Sequence, residues 1–332
     1  MDIEKMMIDF SEYLKGESVQ NESDAEKYLL KFMEERNIDP ADVLTSMDDA
    51  DDYDDYDDDY DEVYEYLELA ENASSAKEAL KYAKKALELA PENWNVACMV
   101  AELSAKTPES LLEKYEQLIA QANAAMERDG WFSEEYIGEF WGFHETRPYM
   151  QLRDAYLDTL VSCDMLKKAM VEAEDLLRLC ENDNLGIRYH LMHLYAHFED
   201  EEKALALLNK YDEESSMFML PLSILYYKLG NLKKAAQYLR ILNRRNKDTR
   251  RFFEVLIKAD AEYLFDEIGT FGYQPFTIQE LAVAFRENPF LFGSTAAYFS
   301  WGLRKLKAMK NAIFQQNNKL SVLFEQNVLL NN

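Results

Sequence analysis

The residues whose types and spacing could do chemistry are Asp154 and Asp158, four apart, and Tyr189, His193 and His197, also four apart, about one repeat further on. A four-residue step keeps side chains on one helical face, so each set presents a row. Carboxylate oxygen and imidazole nitrogen both bind zinc and other divalent ions, and such a row could serve a metal-dependent or phosphate-acting enzyme. A helical histidine serves equally well as a hydrogen-bonding group inside a core, and His190 falls on a different face from His193 and His197. The chain has no glycine-rich phosphate loop, no GxSxG elbow and no HExxH pair, so an enzyme reading lacks a starting residue. We expect no catalysis, no cofactor and no resident metal.

A second set pairs Arg153 with Tyr149 and Tyr156, and Arg188 with Tyr189, with Glu145 and Arg147 just upstream. Two readings stand. A guanidinium beside a tyrosine can hold a peptide carboxylate or a phosphate in bidentate fashion. Alternatively, Glu145 pairs with Arg153 or Arg188 and locks the neighbouring chain in place. Taken together, Trp141, Glu145, Arg147, Tyr149, Arg153, Asp154, Asp158, Arg188, Tyr189, His193 and His197 make the expected peptide-binding surface.

These residues must be positioned by helices. From Met150 to Leu208 apolar residues recur at three- and four-residue spacing and break at Ser162-Cys163-Asp164 and Glu199-Asp200-Glu201, which predicts two helical hairpins in tandem. Ala169 and Ala204 follow the breaks 35 residues apart, and Ala235 comes 31 later, after a Gly230-Asn231 turn. A tetratricopeptide repeat has a period of about 34 residues and needs small residues where its helices cross. The stretch KEALKYAKKALELAP, with Ala79, Ala83, Ala86 and the closing Pro91, fits the same unit. Only 10 glycines and 7 prolines in 332 residues also speak for helices joined by tight turns. The predicted fold is all-α, a tetratricopeptide-repeat-like α-solenoid whose first helix in each unit faces a concave groove.

Between Asp129 and Met150 the periodicity gives way to DGWFSEEYIGEFWGFHETRPYM, an aromatic connection that either covers a groove or plugs a joint between two half-arrays. The run FWGFHETRPYM and the later NDNLGIRYHLMHLY resemble bacterial tetratricopeptide-repeat proteins that carry an FWG-x-x-ETRPYM segment followed by a DN-x-G-x-RY segment. Those are distantly similar to the suppressor-of-tumorigenicity repeat family. The resemblance runs from Val63 to about Leu306, including PFTIQELAVAFRENPFL, and implies a helical-repeat fold without an established activity.

Residues 1–46 predict a helical segment, with amphipathic spacing over Ile3–Leu14 and Ser23–Met33. Residues 47–62 read as an acidic disordered linker, since Asp48–Glu62 places eleven carboxylates and three tyrosines in fifteen residues. Residues 63–310 form the repeat domain, and residues 311–332 an amphipathic C-terminal tail. Of the net charge of −27, residues 1–72 hold −21, so the repeat body is close to balanced. Cys98, Cys163 and Cys180 have no CxxC spacing and fit a reducing compartment. With no secretory leader and no run of about 18 apolar residues, the expected location is the cytoplasm, away from membranes.

The expected function is a non-catalytic protein–protein interaction scaffold that binds a protein or peptide segment in its groove, with the acidic arm tuning binding. A mimic of nucleic acid that occupies a basic protein is a third possibility beside the enzyme. Direct nucleic-acid binding is not expected at a pI near 4.5, despite the basic run from Arg240 to Arg251. An arm that screens this run makes a testable difference. Deleting Asp48–Glu62 should increase retention on heparin at low salt and leave the melting temperature nearly unchanged, because a disordered linker buries no core.

Overall fold

Side-chain caps start six of the helices. Ser75 accepts from the Glu78 amide at the head of a helix over Ala76–Leu89, and Asn93 does the same for Val96 ahead of Trp94–Ser104. Thr107 and Ser110 cap each other's backbone at the start of Pro108–Arg128, a capping box with proline in the first turn. Asp200, Asn231 and Thr277 open later helices in the same way.

The computed structural model describes residues 13, 28, 31–33, 36, 58–258, 264, 266, 268 and 272–308. Its helices are α1 (Asp58–Glu71), α2 (Ala76–Leu89), α3 (Trp94–Ser104), α4 (Pro108–Arg128), α5 (Arg147–Ser162), α6 (Leu166–Leu179), α7 (Ile187–Phe198), α8 (Glu201–Tyr211), α9 (Ser216–Lys228), α10 (Leu232–Arg245), α11 (Thr249–Ile257), α12 (Ile278–Glu287) and α13 (Pro289–Gly293). A last helix, α14, covers 296–308. A 3-10 turn, Phe140–Gly142, lies in the aromatic connection. Among the described residues the protein is all-helical, with no strand and a few isolated bridge residues, among them Gly138 and Glu139, which join Cys180.

The chain divides into two compact units, Met1–Leu69 and Ala70–Asn332. In the first, Tyr13, Tyr28 and Lys31–Met33 are helical, and Phe32 is buried, with Tyr13 edge-on to its ring at 5.2 Å. The rest of the two expected N-terminal helices lies outside the described residues. The linker boundary differs from expectation: Asp58–Glu62 belong to the first turns of α1. Carboxylates at a helix N-terminus meet the positive end of the helix dipole, which favours helix where repulsion alone predicts disorder. Residues 47–57 lie outside the described residues, as does the tail after residue 308.

In the second unit each helix from α2 to α10 packs on the next, and alternate helices also touch: α3 on α5, α7 on α9, and α9 on α12. Ala169, Ala204 and Ala235, all with zero exposure, sit on α6, α8 and α10, where larger side chains would force neighbouring helices apart. The centre of this unit is α9, SMFMLPLSILYYK, whose residues from Ser216 to Tyr226 are all buried. It packs on α7, α8, α10 and α12, and Ser223 ties it to α10 and to one further element, α14. The Ser223 hydroxyl donates to the Ala235 carbonyl at 2.8 Å and accepts from the Tyr298 hydroxyl of α14 at 2.7 Å.

The end of the unit differs in detail from the predicted helices. Of the helix expected over Phe252–Ile268, α11 covers the first part to Ile257, Leu264 and Asp266 are helical, and the other residues from 259 to 267 lie outside the described residues; the short α13 between α12 and α14 was not foreseen. Closure of this end depends on Gly302. A Cβ built there would meet Phe253 Cε2 at 2.5 Å and Leu239 Cδ2 at 3.5 Å. Gly302→Ala should therefore cost about 1–3 kcal/mol in urea denaturation, although alanine is the better helix former. Gly293→Ala, where a Cβ meets nothing within 4 Å, should not.

Candidate functional site

The DN-x-G-x-RY segment builds one wall of the site. Asp183 takes a positive φ of 52° and turns its carboxylate onto the head of α7, accepting from the amides of Ile187 at 2.7 Å and Arg188 at 3.1 Å. Gly186 follows at φ 78°, and a Cβ there would lie 3.3 Å from the Tyr189 ring. Glycine is thus required both for its backbone conformation and for the close approach of Tyr189. Arg188 folds back to Asp183 at 2.7 Å, pairs with Glu213 at 3.1 Å, and lies over the Tyr189 and Tyr211 rings. Its partners are not Glu145, which is exposed.

The other expected ion pair also has different partners. Arg153, 6% exposed, pairs with Glu172 at 2.5 Å and Asp175 at 2.7 Å on α6, and donates to the Tyr149 hydroxyl at 3.0 Å. Tyr149 in turn donates to Asn123 at 2.8 Å. This chain ties α4, α5 and α6 together and uses both residues structurally.

The aromatic connection is likewise a joint. Phe140 is fully buried and packs with Phe132 and Tyr149, while Trp131 and Phe143 pack around Tyr136. Thr146 donates to the carbonyls of Phe140 and Phe143. Arg147 donates to the Trp141 carbonyl at 2.8 Å and lies over its ring. Backbone bonds from Gly138 to the Leu179 carbonyl and from Glu181 to the Gly138 carbonyl pin the connection to the end of α6.

Whereas α3 meets α5 and α7 meets α9 closely, α5 and α7 touch far less. Between them opens a cavity of ≈ 480 Å³, lined by Asp154 and Asp158 of α5, Gly186, Tyr189 and His190 at α7, Met217 of α9, Gly272 and Tyr273, and Val283, Arg286 and Glu287 of α12. Of the eleven expected surface residues the cavity collects three: Asp154, Asp158 and Tyr189. Trp141, Glu145, Arg147, Tyr149, Arg153 and Arg188 do not line it.

The histidine register is corrected as well. His190, set aside in the sequence, faces the cavity with Nε2 3.5 Å from Asp158. His193 is fully buried, donates through Nδ1 to the Tyr189 carbonyl at 2.7 Å, and stacks on Phe292. His197 packs against Phe198 and Phe290. The presumed row of Tyr189, His193 and His197 thus runs under α13 after its first member, because α13 packs on α7. Among the described residues no group of three His, Cys, Asp or Glu could hold a metal ion.

The cavity is rich in acceptors. Asn288 donates through its amide to the Ala284 carbonyl, so its Oδ1 accepts from His190 Nδ1 at 3.2 Å. His190 Nε2 then faces the cavity beside Asp158. Asp154 makes no hydrogen bond to a described residue, and burial, followed by the charges of Asp158, Asp183 and Glu287, pushes its carboxyl up to about 7. Burial alone dominates at His193, whose imidazole is pushed down to about 4.

His190 was missed because its register relative to His193 and His197 depends on where α13 covers α7, and Asn288, Tyr273 and Glu287 because α12 and its flanking residues lie far along the chain. The PFTIQELAVAFRENPFL segment was the available signal. The chain matches no protein-family model and no curated protein sequence. No helix among the described residues is long and apolar enough to cross a membrane.

The raised Asp154 carboxyl makes a prediction about stability. In the unfolded chain this group titrates near 4, so its contribution to folding is fully present below that pH and is lost as pH rises through about 7. Asp154→Asn should stabilise the protein at pH 8 by about 2 kcal/mol, discounted for solvent access, with the gain vanishing near pH 4 in denaturant titrations. His193 acts in the opposite sense, losing stability as pH falls from 6.5 towards 4, so the comparison between Asp154→Asn and wild type at each pH isolates Asp154.

Proposed function

We propose that the protein is a non-catalytic binding scaffold, an α-helical array of the tetratricopeptide kind that holds a segment of another protein along the face formed by α3, α5, α7, α9 and α12. The observation that carries this reading is the cavity, which lies on that face at the place where neighbouring helices stand apart. Repeat arrays bind in this manner because each unit contributes one helix to a continuous surface, and a gap in the series admits an anchoring side chain. The acidic tract at Asp48–Glu62 tunes binding by attracting basic partners over several ångströms at low salt.

Arg244 and Arg245 pair with Glu214, and Arg250 pairs with Glu254, so much of the basic run is neutralised within its own unit and offers little to a nucleic acid. The free cysteines, with Cys98 pushed up to about 12 chiefly by burial, suit the cytoplasm.

A carboxyl near 7 in a cavity also suits a general acid or base, which favours an enzyme as the second reading. The described lining contains no serine, threonine, cysteine or lysine to act as nucleophile, and we take binding as the primary role.

Selection from a random peptide display library tests this. Enriched peptides should bind with Kd on the order of micromolar, weaken strongly for the exposed cavity variant Asp158→Lys, and be unaffected by Lys210→Glu on α8. Failure to enrich any peptide, or equal binding by Asp158→Lys, would count against a segment held on this face.

A further inference from the structure

The geometry points to the cavity between α5, α7, α9 and α12 as the seat of one organic cation, an arginine or lysine side chain carried by the bound segment, held by Asp154 and Asp158. This rests on the scaffold reading for the source of the cation. The site's own chemistry supplies the argument for its charge.

First, hydrogen-bonding groups of one kind converge there. Asp154 accepts from no described residue, Asp158 has only the His190 Nε2 near it, at 3.5 Å, and the buried His190 ring is tied to Asn288 on its other side. Groups that can only accept are complemented by a donor that can only donate, and guanidinium and ammonium are such donors. The nearby donors are committed elsewhere. Arg188 serves Asp183, Glu213 and the Tyr189 hydroxyl, while Arg286, at the edge of the cavity with half its side chain exposed, pairs with Glu287 at 3.3 Å and leaves Asp154 and Asp158 without a cationic partner from arginine or lysine.

Secondly, the walls suit a cation on an aliphatic stem. Met217, Val283 and Ile268 offer apolar contact, and Tyr273 a ring, around a volume that exceeds what a single metal ion would fill. Asp154 takes up a proton readily, first because it is largely buried and then because Asp158 on its own helix, Asp183 at the head of α7 and Glu287 on α12 add negative charge without a paired cation at Asp154 itself. His190, Tyr273 and Arg286 complete the charged and titratable groups around it. A bound cation supplies the missing partner and competes with the proton.

The experiment uses the full chain and isotope-edited NMR titration with N-acetyl-arginine amide, its lysine counterpart, the neutral isostere N-acetyl-citrulline amide, and agmatine. The arginine or lysine amide should shift the resonances of Tyr189 and His190, and its affinity should rise about tenfold from pH 6 to pH 8 as Asp154 ionises. Citrulline should not bind. Asp154→Asn should weaken the cation about tenfold and flatten the pH dependence. As that variant is expected to be the more stable at pH 8, its lost binding cannot be ascribed to unfolding.

Equal binding of citrulline, or unchanged affinity in Asp154→Asn, would overturn the inference. So would tight display-selected peptides that contain neither arginine nor lysine, which would leave the scaffold reading standing. If agmatine binds better than any peptide-borne cation, the site takes a free small cation and the assignment of its source is wrong.

Discussion

Enclosure of α9 is the constraint on which the rest of the structure depends. A helix with apolar residues on every side cannot face water at any angle, and α9 is buried from Ser216 through Tyr226. It therefore has to be surrounded, and α7, α8, α10 and α12 pack directly on it. Of the polar side chains carried inside with it, the Ser215 hydroxyl at its head finds no partner among the described residues, whereas Ser216 and Ser223 are matched. Ser216 donates to the buried Glu280 through both its amide and its hydroxyl, and Asn246 bridges Ser216 to the Thr277 carbonyl. Burial raises the Glu280 carboxyl, while the donors from Ser216 and Phe276 oppose that shift. This network holds the heads of α9 and α12 together, and so brings α12 to the edge of the cavity.

The cavity follows from where that enclosure stops. On the α9 side, α7 is held by close packing; at its C-terminus, Lys228 donates to the Ala196 and His197 carbonyls, satisfying groups that a helix end leaves open. On the α5 side, Arg153 and Tyr149 pull towards α6 and α4. With α5 and α7 each committed to other neighbours, their facing surfaces part, and the residues left between them are acidic. The unfavourable field at Asp154 is a local cost that the large apolar core offsets, a distribution common at binding sites.

Several residues that looked chemical turn out to be architectural, and the reason is general. A guanidinium next to tyrosine has the composition of an anion site, but the same groups satisfy one another when buried. Arg153 meets Glu172 and Asp175; Arg188 meets Asp183 and Glu213. The FWG-x-x-ETRPYM segment similarly spends its polar atoms on its own turn, through Thr146 and Arg147. The FWG-x-x-ETRPYM and DN-x-G-x-RY segments are thus both accounted for by turn and capping geometry, with the site lying beside them.

The sequence by itself determined the helices. Their periods, the caps at Ser75, Asn93 and Thr107, the Gly230-Asn231 turn and the zero-exposure alanines are local properties, because a helix is closed by bonds between residues four apart and its crossings need small side chains. It also placed Asp154, Asp158 and Tyr189 on a common surface. Only the tertiary structure decided which histidine joins them. A shift of one residue turns a helical side chain by about 100°, and whether His190 or His193 faces the cavity depends on where α13 covers α7. The contributions of Asn288, Glu287 and Tyr273 were hidden for the same reason: they come from a segment about one hundred residues away, and no local pattern in the chain encodes which distant helix closes a gap.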